Sequence, residues 1–183
     1  MKVALRSFQP ADLHFLEEWR AGIHAEQYME RLSPNAFDIS GFEGWGIDYV
    51  WYVIVADGVD AGCVWIENKK NHRNIGILGI VIGSEASLGR GIGRSAIALA
   101  VQQAREAMGY DVIRLHVRQT NSRAISCYER CGFLVTGGGA MSHEDLGKVP
   151  FLRMELFLCP QADSAIRVDA FDGKVGSSRR PPD

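Results

Sequence analysis

Eight consecutive residues, Ile75-Gly-Ile-Leu-Gly-Ile-Val-Ile82, carry no polar side chain, and the chain then runs through Leu88-Gly89-Arg90-Gly91-Ile92-Gly93-Arg94 into an apolar-periodic stretch. A short, β-branched, unalternating run of this kind reads as a central strand buried on both faces. The stretch that follows is periodic as a helix to about Met108, where Gly109 ends it. Strand, glycine turn and helix in succession demand an α/β architecture. The flanking segments agree. Val3–Phe8 alternates as a strand, and Pro10 and Asp12 open a helix (Leu13, Leu16, Trp19) that Gly22 stops. A second helix is predicted over 23–31 and a long loop over 36–50. Trp51–Ala56 and Ala61–Ile66 form a hairpin about Asp57-Gly58-Val59-Asp60, and a polar connection over 68–73 leads to the apolar strand. Beyond the long helix come a strand at 112–117, a helix at 121–130, a strand ending at Gly137-Gly138-Gly139 and a last strand over 149–158. The resulting order, β-α-α-β-β-β-α-β-α-β-β, builds a mixed sheet with helices on its faces.

The chain has 183 residues with 20 Lys+Arg against 22 Asp+Glu, a formal charge of −2 that argues against a generic nucleic-acid binder. No apolar run reaches the length of a membrane span, and the first residues lack the apolar core of a signal peptide, so a cytoplasmic, soluble protein is expected. Its four cysteines (Cys63, Cys127, Cys131, Cys159) form no CxxC pair. Cys127 and Cys131 lie four apart on one helix, but no His or second pair completes a metal site, and no metal is expected. They read as small packing residues, with nothing in the sequence to mark either as an activated nucleophile.

Charge is segregated along the chain. Residues 17–60 hold nine acids against Arg20 and Arg31, a net −7, whereas residues 61–130 hold ten bases against five acids, a net +5. Clustered solvated charge accounts for this as well as ligands do; the sharper reading is an anionic ligand on the second segment and a cationic one on the first.

Two motifs carry chemistry. In Gly89-Arg90-Gly91-Ile92-Gly93-Arg94 the glycines allow a sharp turn and close approach, and the amides of the following helix favour phosphate. Neither a dinucleotide GxGxxG nor a Walker loop is met. In the second, Asn121 suits a helix N-cap and Gly132 the left-handed residue after a helix, with Ala124 and Tyr128 on one face between them. A lone Tyr there is ordinarily a core aromatic.

Together these stretches resemble the GCN5-related N-acetyltransferase (GNAT) family. Its loop Q/R-x-x-G-x-G/A is met by Gly91 and Gly93 with Leu88 at the first position, and its N-x-x-A-x-x-x-Y-x-x-x-G-F is met at every fixed position from Asn121 to Phe133. The resemblance covers about residues 1–158 and implies a mixed, mostly antiparallel sheet of about seven strands flanked by helices. It leaves 159–183 as a tail, expected to pack on a neighbouring subunit of a homodimer.

The activity implied is transfer of an acetyl group from acetyl-CoA to a primary amine by direct attack. Main-chain groups of Ile80, Val81 and Ile82 would bond the pantetheine arm where their strand splays from the one beginning near Val112. The amides of Gly89, Arg90, Gly91, Ile92, Gly93 and Arg94 would hold the pyrophosphate, Asn121 would touch the pantetheine, and Tyr128 would protonate the departing thiolate. Glu67 is the first candidate for general base, with His72, His116 or water as alternatives. The acceptor pocket would involve residues 20–50, whose acids favour a polyamine-like or aminoglycoside-like amine. A peptide amine, an amino sugar, a non-catalytic acyl-CoA-binding module and an assembly protein are the other readings. Trp45, Tyr49, Trp51 and Trp65 could line that pocket, although Trp51 and Trp65 suit a core equally well.

Overall fold

The computed structural model describes residues 1–23, 32–34, 49–69, 72–143 and 146–158. All but Ile23 of the predicted helix over 23–31, nearly all of the loop over 36–50 with Trp45, and the tail from 159 lie outside the described residues. The strands are β1 (Val3–Ser7), β2 (Tyr49–Ala56), β3 (Val59–Lys69), β4 (His72–Ile82), β5 (Val112–Arg118), β6 (Leu134–His143) and β7 (Gly147–Phe157). The helices are α1 (Leu13–Gly22), α2 (Ile92–Met108) and α3 (Ser122–Arg130). The strands form one seven-stranded sheet in the order β1-β2-β3-β4-β5-β7-β6. Every neighbouring pair is antiparallel except β4 with β5.

Alternation along the strands divides the apolar side chains into two cores, one on each face. Ile54, Val64, Ile66, Leu78, Ile113 and Leu115 meet the apolar stripe of α2, where Ala96, Ala100 and Ala104 are 0% exposed and let the helix lie close. Tyr49, Trp51, Trp65 and Val81 point the other way and pack with Phe8 and Trp19 of the α1 side. Phe8 and Trp51 stack with centroids 3.7 Å apart. Three of the four aromatics considered for an acceptor pocket are therefore core residues. An ion cluster sets the entry to α1: the Arg6 guanidinium donates to Asp12 at 2.7 and 2.8 Å and to Asp60 at 2.6 Å, joining β1, the turn before α1 and the start of β3. These bonds hold the Asp12 carboxyl below its ordinary range.

Several expectations need correction. Tyr49 and Val50 belong to β2 rather than to a loop. Most of the polar connection over 68–73 is strand, since β3 runs to Lys69 and β4 starts at His72. The glycine triplet does not end its strand, because β6 continues to His143 and pairs along β7. Its glycines make room rather than turns: a Cβ at Gly137 would lie 2.8 Å from the Arg153 guanidinium, and one at Gly139 would lie 3.1 Å from the Phe151 ring. Nor is β4 buried on both faces throughout, since Ile75, Ile77, Ile80 and Ile82 are only partly buried. Among the described residues no helix is long and apolar enough to cross a membrane.

Candidate active site

The partial exposure of β4 has a local cause. β4 stays paired with β3 as far as Ile82, but pairs with β5 only over Ile75–Val112, Gly76–Ile113 and Ile77–Arg114. Beyond Ile77 the two parallel strands part, and one edge of β4 is open. The direction of its main-chain groups follows from two bonds. The Gly83 N–H donates to the Ala61 carbonyl at 2.8 Å, whereas the Asn74 carbonyl accepts from the Asp111 N–H at 3.0 Å. Successive residues of a strand alternate in direction. Odd residues of β4 therefore face β3 and even ones face β5, so Ile80 and Ile82 present N–H and C=O to the open edge. Val81, grouped with them from sequence, turns its own groups toward β3.

A short 3-10 turn at Glu85–Ser87 carries the chain from β4 to the glycine loop. Gly89 (φ 74°) and Gly91 (φ 83°) occupy the left-handed region, where a Cβ is costly. Gly91 is the N-cap of α2 and offers no side chain to it. The first N–H groups of a helix have no acceptor within it, so those of α2 are available to a ligand, with the helix dipole favouring an anion.

The split sheet and this loop enclose a cavity of about 540 Å3. It is lined by every residue expected to hold the donor, that is Ile80, Val81, Ile82, Gly89 to Arg94 and Asn121, and also by Tyr128. Four arginines (Arg90, Arg94, Arg123, Arg130) line it, and no carboxylate does among the described residues. A cationic cavity ending in a glycine-capped helix start and edged by open strand amides fits a polyphosphate ligand with an extended amide arm.

Asn121 and six residues of α3 line the cavity. Asn121 caps the helix, the side-chain Oδ1 accepting from the Ala124 N–H at 3.2 Å, and the chain leaves through Gly132 at φ 90°. Tyr128 packs its ring 5.9 Å from that of Phe133, and burial pushes its phenol above the ordinary range, so it remains protonated. Cys127 packs against the α2-side core, as read from sequence, and also lines the cavity, which was not expected. The signal was its spacing, three residues from Ala124 and adjacent to Tyr128. The neighbouring Cys131 side chain, together with Arg94 and Arg130, outweighs partial burial and holds the Cys127 thiol below its ordinary range.

The three candidate bases are dispersed. His116 of β5 is exposed, lines the cavity, and lies with its ring 4.9 Å from Phe151. It reaches the cavity from the face opposite α3, because Ile113, Leu115 and Val117 take the α2 side of β5. Glu67 is 3% exposed, pairs in register with Ile77, and does not line the cavity. Three residues separate Ile77 from Ile80, about 10 Å along the strand. His72 begins β4, eight residues and about 26 Å from Ile80.

Comparison with curated protein sequences yields no match. Among solved structures, the chain superposes on a spermidine N-acetyltransferase from Vibrio cholerae in complex with CoA and spermine, with a TM-score of 0.68 and 20% identity over 85% of this chain and 95% of that one. An aminoglycoside acetyltransferase in complex with coenzyme A gives 0.67 and 19% over the same shares. The protein yncA of Salmonella typhimurium, with its cofactor acetyl-CoA, gives 0.68 and 19% over 91% and 99%. At such identities these likenesses establish the fold alone. The model of the acetyltransferase (GNAT) family matches residues 13–133, a span that runs from the first residue of α1 to the end of the Asn121–Phe133 motif. The chain belongs to the GNAT family of acetyltransferases.

Proposed function

We propose that the chain transfers the acetyl group of acetyl-CoA to a primary amine of a small cationic acceptor. The observation that carries the donor half is the cavity: four arginines, no acid among its described lining residues, and a glycine-started helix beside an open strand edge. The donor supplies a thioester, an acyl group already bonded to a good leaving group.

The chain's residues would do the rest. The N–H groups of α2's first turn and the amides of Gly89 to Gly91 hold the pyrophosphate, with Arg90 and Arg94 adding charge. Ile80 and Ile82 pair their main chain with the amide arm as a missing strand would. An N–H on this edge aimed at the thioester oxygen opposes the charge that develops there, an interaction that contributes on the order of 3 kcal/mol where tested elsewhere. Asn121 turns its oxygen to the α3 cap, which leaves its Nδ2–H donors for the arm. Tyr128, kept protonated by burial, donates toward the sulfur as it leaves. His116 is the candidate base that lines the cavity, and a neutral imidazole can take the ammonium proton before attack. Glu67, which lines no part of it, would need a relay through water.

Two findings support a cationic acceptor. Residues 17–60 carry a net −7, although Asp60 is engaged by Arg6 and Asp57 accepts from the Lys2 N–H. The spermidine and aminoglycoside acetyltransferases named above share the fold. A thiol-release assay with acetyl-CoA against spermine, kanamycin, a neutral amino sugar and a lysine peptide tests this. The polycations should be turned over with kcat/KM at least about tenfold above the others. Turnover of the neutral amino sugar alone would refute the charge argument.

A further inference from the structure

Cys127 is the one thiol among the described residues that line the cavity, and its position there gives it a chemistry the acyl transfer does not use. It is partly exposed, unlike Cys63, which is buried. A Cβ built on Gly93 would lie 3.7 Å from the Cys127 sulfur, so the thiol sits against the first turn of α2. Arg94 and Arg130 line the same cavity, and Cys131 follows one helical turn later as the C-cap of α3. Partial exposure, a helix N-terminus and neighbouring cations are the setting in which a protein thiol becomes a thiolate and reacts.

We infer that Cys127 is a thiol-modification site inside the donor cavity, which undergoes exchange with low-mass disulfides in competition with acyl-CoA. In that step the Cys127 thiolate, its proton released to solvent, attacks one sulfur of the disulfide. A new S–S bond forms as the old one breaks, and the departing thiolate takes up a proton. Cys127 is oxidised to a mixed disulfide and half of the reagent is reduced to free thiol, with no other reactant. The added group would occupy the space beside Gly93 that the pyrophosphate needs, so oxidation would switch off donor binding and a reducing thiol would restore it. The mixed disulfide is the expected product rather than a Cys127–Cys131 bridge. Side chains one helical turn apart have Cβ atoms about 5–6 Å from each other, wider than a disulfide spans.

The competition rests on the donor reading above, so donor binding is measured separately. The folded protein is treated with glutathione disulfide, modified cysteines are located by mass spectrometry, and acetyl-CoA binding is followed by calorimetry. Cys127 should be modified at least about tenfold faster than Cys63 or Cys131, and saturating acetyl-CoA should slow it by a similar factor. Activity should fall with modification and return with dithiothreitol. Cys127→Ser, whatever its own rate, should lose no activity on the same treatment, whereas Cys131→Ser should still lose it. Modification of Cys127 no faster than Cys63, or equal fractional inactivation of Cys127→Ser, would overturn the inference. If acetyl-CoA binds but leaves the modification rate unchanged, the competition is overturned alone. If acetyl-CoA fails to bind, the donor reading fails and the competition falls with it.

Discussion

Replacing Tyr128 by Phe removes one oxygen from the cavity and leaves the ring against Phe133, 5.9 Å between centroids, so it tests chemistry without disturbing the packing. The size of the effect can be worked from the acid and the group it would protonate. An ordinary thiol has a pKa of about 8.5 and an ordinary phenol about 10. Burial raises the Tyr128 phenol further, so complete proton transfer to the thiolate is uphill by at least about 1.5 units, or about 2 kcal/mol. The useful contribution is then a hydrogen bond to a sulfur gaining negative charge, about 1.5–3 kcal/mol. Tyr128→Phe should accordingly lower kcat by roughly ten- to a hundredfold, the low end of general-acid effects. Acetyl-CoA affinity should stay within about twofold. Thiol release under saturating acetyl-CoA, with the best acceptor of the panel, measures the first, and calorimetry the second. Since the phenol is held protonated, Tyr128 should also add no alkaline limb to the kcat profile below about pH 10. Turnover within about twofold of the parent, or a loss confined to donor affinity, would remove Tyr128 from the proton-donor role.

Two predictions concern the frame that holds the split. A Cβ at Gly79 would lie 2.1 Å from the ring of Trp65, which is only 2% exposed. Gly79→Ala should therefore cost about 2–3 kcal/mol by overpacking and lower Tm by several degrees in a thermal melt; an unchanged Tm would mean that the ring has room to move. The Asp12 carboxyl, depressed by its hydrogen bonds to Arg6, contributes stability that is complete above its unfolded pKa of about 3.9 and is lost as pH falls through the lower folded value. With the Arg6 side chain 37% exposed and the pair partly screened, Asp12→Asn should cost about 1.5 kcal/mol at pH 7 in urea titrations. That difference should shrink below about pH 4, and a constant one would exclude the ion pair as its source.

Legibility from sequence followed the range of the interactions involved. α3 was readable almost to the residue because its signals are local: an Asn that caps, a glycine that takes a positive φ, and a four-residue spacing between Ala124 and Tyr128. The glycine loop was readable for the same reason. Gly137 to Gly139 misled because a glycine run is ordinarily a turn signal, whereas here the absent side chains accommodate Arg153 and Phe151 across the ladder. Tyr49, Trp51 and Trp65 could not be assigned to pocket or core from their spacing, since either lies on one face of a hairpin; the packing of Phe8 and Trp19 decided it. Cys127 was legible as a packing residue but not as a cavity residue, because nothing in sequence placed it beside Gly93, which lies more than thirty residues earlier.

The sequence by itself determined the order of the described strands and helices, the glycine start of α2, the cap of α3 and the family. Each depends on groups within a few residues of one another. Only the tertiary structure decided where β4 leaves β5, and that one parting organises the site. It is a matter of hydrogen bonds between segments more than thirty residues apart, and no local pattern encodes where such pairing stops. From it follow the open groups of Ile80 and Ile82, the turning of Val81 toward β3, and the entry of His116 into the cavity from the far face while Glu67 stays out of it.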